Sequence, residues 1–161
     1  VSVISNAVIE KSVTVEAAPD LVWLAWTRSD RLTRWFAPQA VIEPWVGGAF
    51  ELYFIPGNRD SMNTRGCRVV QLQEPQLLEF TWRGPDPFAE LMNAEEDLTV
   101  VTVTVTQAAE GRSVVQVEHR GFLDGEGWSE ARAWHEAAWA QALDSLRQAI
   151  ETGDGDLCCR P

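Results

Sequence analysis

The chain has 161 residues, 45% of them hydrophobic, which is enough to bury one core of ordinary size. Its formal net charge of -11, from 24 acidic against 13 basic residues, speaks against nucleic acid or an anionic membrane surface as partner. No apolar run reaches membrane-spanning length, and Val1 to Ala7 lacks the basic-then-hydrophobic pattern of a secretory leader. The expectation is a soluble cytoplasmic protein with one domain over residues 1–152 and a tail over 153–161.

Val8 to Glu16 alternates, with Ile9, Lys11, Val13 and Val15 toward one face, and reads as a strand with one wet side. Pro19 and Asp20 suit the first turn of a short helix ending at Thr27. Ser29 is placed to cap a second short helix running to Trp35, and Pro38 stops it. Val41 to Val46 and Ala49 to Ile55 read as strands joined at Gly47-Gly48. Gly66 to Gln73 and Leu77 to Arg83 are two further strands, the second with Leu78, Phe80 and Trp82 on one face. Gly84 to Asp97 holds Phe88, Leu91 and Met92, is too long for a tight turn, and is expected to fold over something. Leu98 to Gln107 and Ser113 to Arg120 are the last strands, the latter with Val115, Val117 and His119 on one face.

Trp128 to Glu151 has the helical period of about 100° per residue. Trp128, Ala131, His135, Trp139, Ala142, Leu143, Leu146, Ala149 and Ile150 form its apolar stripe, and Gly153 follows as a stop. Sequential strands with short turns imply an antiparallel sheet, and so broad an apolar helix face needs that sheet's dry side. The expected fold is α+β: a curved antiparallel sheet of six to seven strands wrapped around a long C-terminal helix, with two short helices after the first strand.

Trp23, Trp26, Trp35, Trp82, Trp128 and Trp139 fall on or near dry faces, where such rings either pack solid or line a ligand-sized hollow. His119 and His135 are either core imidazoles with satisfied nitrogens or orienting, acid–base groups toward a ligand. Arg132 and Lys11 share those faces and either meet an acidic ligand group or reach out to the rim. Tyr53 and Glu51 share a strand face and form a candidate acid–base pair. Cys67 reads as inert core, and Cys158 and Cys159 as thiols of a solvated tail. No catalytic signature or metal-ligand spacing occurs, so neither metal nor cofactor is expected. Trp134 lies off the stripe. It implies either a homodimer contact or a cover formed by the loop carrying Phe88, Leu91 and Met92.

Four pieces in order resemble a known family. They are Val22-Trp23-Leu24-Ala25-Trp26-Thr27 with Leu32 and Trp35-Phe36-Ala37-Pro38; Val46-Gly47-Gly48-Ala49-Phe50; Gly66 and Pro75 with Leu78-Glu79-Phe80-Thr81-Trp82; and His119-Arg120-Gly121-Phe122 with His135, Trp139, Leu143, Leu146 and Ile150. Over roughly Ile9 to Glu151 the chain resembles the START-like, or SRPBCC, helix-grip superfamily, in the branch named for the activator of the heat-shock-protein-90 ATPase. Ala138 departs from the Gly-Trp pair common in that branch.

The resemblance implies binding of a small hydrophobic or amphipathic ligand, aromatic in one version, between sheet and long helix. The residues expected to line that site are Trp23, Trp35, Phe50, Phe80, Trp82, His119, Trp128, Arg132, His135 and Trp139. It also implies two alternatives: a cyclase- or aromatase-type enzyme using a cavity histidine, and a stress-related, chaperone-associated interaction domain. The co-chaperone itself carries a further domain ahead of this fold, whereas eight residues precede Ile9 here, so the co-chaperone role is the less direct implication.

Overall fold

A computed structural model describes residues 8–152. In chain order the elements are β1 (Ile9–Val15), α1 (Pro19–Thr27), α2 (Ser29–Leu32), β2 (Gln39–Ile42), β3 (Phe50–Tyr53), β4 (Val69–Gln73), β5 (Leu77–Trp82), α3 (Ala89–Met92), β6 (Thr99–Ala109), β7 (Arg112–Arg120) and α4 (Trp128–Thr152). Short 3-10 turns at Asp86–Phe88 and Glu95–Asp97 flank α3.

All pairings are antiparallel, as short connections require. The seven strands do not form one sheet, however. Five make a sheet in the order β1-β7-β6-β5-β4, and β2-β3 is a separate two-stranded ribbon. The ribbon meets β4 through the bridge Ala49–Arg68 and the bonds Phe50 N to Cys67 O and Val69 N to Gly48 O. The connection between β2 and β3 also departs from expectation, in residues 43–49. Glu43 accepts the Ala49 N–H on its carboxylate at 2.8 Å, closing an irregular loop where a tight hairpin was expected. At Gly48 an added Cβ would collide with the Glu43 carbonyl oxygen, so this turn requires glycine.

Two further expectations are corrected. Arg28, not Ser29, holds the N-cap position of α2, and Ser29 Oγ instead accepts the Ile42 N–H at 3.3 Å. The helix also stops at Leu32, and turns carry the chain on to Phe36.

Register aligns the dry face in rows. One row runs Ile9, His119, Val101, Phe80 and Val69; another places Val117 against Val103 and Val103 against Leu78. All of these residues are buried. The stripe of α4 lies on that face, with Trp128, Ala131, His135, Trp139, Leu143 and Leu146 buried, and the helix runs along β1. Its second half is fixed to the segment after α2 by Ser145 Oγ, which donates to Trp35 O at 2.8 Å.

Rings fill the space between these layers. Trp26 meets Trp35 at 4.7 Å between centroids, Trp35 stacks on Phe36 at 4.8 Å, and Phe36 reaches Trp139 at 5.5 Å. Phe50 stacks on Phe80 at 3.8 Å, which fastens the ribbon to the sheet. Cys67 is fully buried, and burial pushes its thiol up to about 11, as an inert core thiol requires. Cys158 and Cys159 lie outside the described residues.

Candidate functional site

The two histidines come together where α4 crosses the sheet. Their ring centroids lie 5.2 Å apart, and both side chains are buried. Trp82 at the end of β5 donates its Nε1–H to His135 Nε2 at 3.1 Å. An indole nitrogen can only donate, so that imidazole nitrogen must carry a lone pair. The His135 proton therefore sits on Nδ1 and is donated to the Ala131 carbonyl at 2.7 Å. The same logic sets His119. Trp139 Nε1 donates to its Nδ1 at 3.0 Å, so Nε2 carries the proton and donates to Thr99 Oγ1 at 2.8 Å. Thr99 in turn donates to Trp82 O at 3.5 Å.

Two tryptophans thus fix the tautomers of two histidines, and all four ring nitrogens are engaged. Charging either ring would place a new proton against an indole N–H. Burial acts in the same direction. It pulls His135 down to about 4, against the opposing bond to Ala131, and it pulls His119 well below the ordinary range, helped by the neighbouring His135. Both imidazoles are neutral at physiological pH.

Of the residues expected at the site, Trp82, His119, His135 and Trp139 form this hydrogen-bonded centre. Trp35 joins it through Phe36, which lies 6.1 Å from Trp82. Phe50 and Phe80 form the stacked pair on the ribbon side, Phe80 lying 6.3 Å from Trp82. Trp128 packs on Phe122 at 6.3 Å, beyond the histidines. Trp23 is buried on α1. Arg132 is half-buried on α4 and makes no ion pair among the described residues. Tyr53 donates its O–H to Glu51 at 2.8 Å, and the other Glu51 oxygen accepts the Gly66 N–H, so this pair closes a local turn.

Outward of Trp82 the structure opens into a cleft of about 60 Å³. Its lining is mostly apolar: Phe54, Met62, Trp82, Pro85 and Trp134, with Asn63, Thr64 and Arg83 as polar members. Only Trp82 is shared with the residues expected from sequence. Trp134 comes from α4, off its apolar stripe, and the others from the loop after β3 and the segment after β5, which have no periodicity to read. A legible signal was present in Trp82-Arg83-Gly84-Pro85, where a strand face carrying rings ends in a cation and a break.

The segment from Gly84 to Asp97 folds over this region, as its length suggested. Asn93 ties its two ends by accepting the Gly84 N–H at 2.8 Å and donating to the Gly84 carbonyl at 3.2 Å. Met92 is fully buried, and Phe88 lies 6.3 Å from Trp134 and 6.5 Å from His135. Trp134 keeps 44% of its surface exposed, so the loop covers it only in part.

Comparison with known proteins bears on this arrangement. The model of a family described as "Activator of Hsp90 ATPase homolog 1-like protein" matches residues 16–151. No curated protein matches the chain in sequence. Among solved structures, the chain is similar to protein MLL2253 from Mesorhizobium loti, at 22% identity and a TM-score of 0.72, over 92% of this chain and 99% of that one. It is similar to the Aha1 dimer from Colwellia psychrerythraea at 20% identity and a TM-score of 0.71, over 92% and 99%. It is also similar to DynU16, a protein of the dynemicin biosynthetic locus, at 22% identity and a TM-score of 0.72, over 94% of this chain and 49% of that one. At these identities the likeness is one of fold. Among the described residues, no helix is long and apolar enough to cross a membrane.

Proposed function

The chain belongs to the Activator of Hsp90 ATPase homolog 1-like family, and from that premise we propose that it binds one small amphipathic molecule under the N-terminal half of α4. The observation that carries this reading is the cleft beside Trp82. Five apolar side chains converge there with three polar ones, on a floor made rigid by the Trp–His hydrogen bonds. That mixture is the usual composition of a small-molecule site.

The cleft of about 60 Å³ is smaller than an ordinary ligand pocket of roughly 300–1,000 Å³. Occupation therefore requires the Gly84–Asp97 loop to swing outward, exposing the ring face of Trp82 beside the already exposed Trp134. Binding is favoured over imidazole catalysis because each nitrogen of His119 and His135 already holds a partner. For the same reason these histidines support the floor of the site and do not touch the ligand.

Native mass spectrometry of freshly purified protein tests the reading, together with thermal shift against a panel of aromatic and aliphatic amphiphiles. The expected result is a co-purified small molecule or a stabilising compound, with the stabilisation following mass action. Replacing Trp134 by Ala is expected to weaken that binding about ten-fold through lost apolar contact. Retention of full affinity by Trp134→Ala places the ligand elsewhere.

A further inference from the structure

The chain carries a strong excess of acid, yet one polar member of the cleft lining is a cation. Arg83 lines the cleft directly after Trp82, and its side chain is only 19% exposed. Its terminal nitrogen donates to Glu95 at 2.6 Å. Its Nε is buried with no hydrogen-bond partner among the described residues. A buried guanidinium donor without an acceptor is costly, and such groups are uncommon unless something else supplies the acceptor. The guanidinium is a planar fork that suits two oxygens of one carboxylate or sulfonate.

The partner it does have is weakly held. Glu95 is 80% exposed and belongs to the loop that must move for the cleft to open. An ion pair with so exposed a partner contributes little to stability. Three further acids hold other partners: Glu51 bonds Tyr53 and Gly66, Asp86 the Met62 N–H, and Asp60 pairs with Arg65. Arg59 and Arg65 lie over the Tyr53 ring at 4.4 and 5.6 Å, in the same loop that gives Met62, Asn63 and Thr64 to the cleft. This side of the cleft therefore carries three guanidinium groups, two of them paired only with highly exposed carboxylates.

We propose that the cleft is specific for amphipathic anions, with Arg83 as the residue that reads the anionic group. The proposal rests on the ligand-binding reading above. The apolar body of the ligand lies against Trp82, Trp134 and Met62, and its oxyanion displaces Glu95 from Arg83 and takes the free Nε–H as well. Exchange of one anion for another at Arg83 releases the loop at the moment the ligand enters.

The test compares two fluorescent probes with nearly the same aromatic body, anilinonaphthalene sulfonate as the anion and N-phenylnaphthylamine as the neutral analogue. The parent protein is expected to prefer the anion. Arg83→Gln is expected to lower anion affinity about ten-fold while leaving the neutral probe unchanged, the scale of one charge-assisted hydrogen bond. Glu95→Gln, a change at an exposed position, is expected to tighten the anion several-fold by removing its competitor. An unchanged preference in Arg83→Gln, or no tightening in Glu95→Gln, overturns the role of Arg83 while the binding reading stands. If the parent binds neither probe, or Trp134→Ala alters neither, the cleft is not the site and both readings fall.

Discussion

A tryptophan beside a histidine does more than fill space. Because Trp82 and Trp139 can only donate, each removes one protonation site from its partner imidazole and leaves the neutral form as the stable one. This makes the pair sensitive to acid in a definite direction. His135 has an ordinary value of 6.5 when the chain unfolds and about 4 when folded. Between those values the unfolded chain binds a proton that the folded chain refuses, so stability rises with pH there. The contribution of His135 is complete above about pH 6.5, falls as the pH drops, and is gone near pH 4, a loss of about 3 kcal/mol. His119 adds a loss of the same sign. Urea unfolding at pH 7.5, 6, 5 and about 4.5 measures this. His135→Leu is expected to be less stable than the parent at neutral pH, because Trp82 loses its acceptor, yet to have a shallower acid limb. An equal acid limb in the variant removes His135 from the explanation.

At the scale of elements, the loop from Gly84 to Asp97 behaves as a small closed unit. Its ends are joined through Asn93, and its apolar residues face the helix. Gly84 permits this closure, since an added Cβ would stand 2.5 Å from Met92 Sδ. Asn93→Ala removes both bonds to Gly84 and is expected to lower the opening free energy of the loop by about 1–3 kcal/mol. Hydrogen exchange is the measurement. Amides of residues 86–97 should exchange faster while those of β6 and β7 keep their protection. Equal acceleration throughout would mean that the loop is part of the global core and not a separate gate. The elements themselves were largely legible. The stripe of α4 and the alternation of β1, β5, β6 and β7 report burial directly, residue by residue. The ribbon's separation was not legible, because alternation along two strands does not say where their pairing stops. The cleft was missed for a related reason. Met62, Asn63 and Thr64 reach it through a loop in which Met62 itself adopts φ 52°, and no periodicity marks such residues. The histidines were visible as candidates, but their partners depended on strand register. Trp82 stands opposite Thr99 only because β5 and β6 pair as they do, and alternation alone does not choose among registers.

The whole molecule carries a formal charge of -11, and its ion pairs are mostly at the surface, such as Arg28–Asp30 and Arg147–Asp144. Two long-range effects oppose each other when salt is added. Screening weakens the exposed pairs, which cost little to lose, and it weakens the mutual repulsion of the excess carboxylates, which the compact state feels more than the unfolded one. With so large an imbalance the second effect wins. Raising sodium chloride from about 0.01 M to about 0.1 M shortens the screening length from about 30 Å to about 10 Å, and thermal stability is expected to rise over that range. The acid limb should respond differently. Its origin is the removal of two imidazoles from water and their engagement by indole N–H groups, both short-range and buried beyond the reach of dissolved ions. Carboxylates stay mostly ionised down to about pH 5, so between pH 6.5 and pH 5 their protonation does little to relieve the repulsion. Stability curves measured against pH at the two salt levels should therefore be displaced upward by salt with the slope between pH 6.5 and pH 5 preserved. A slope that flattens in salt would trace acid sensitivity to surface charge and not to the buried pair.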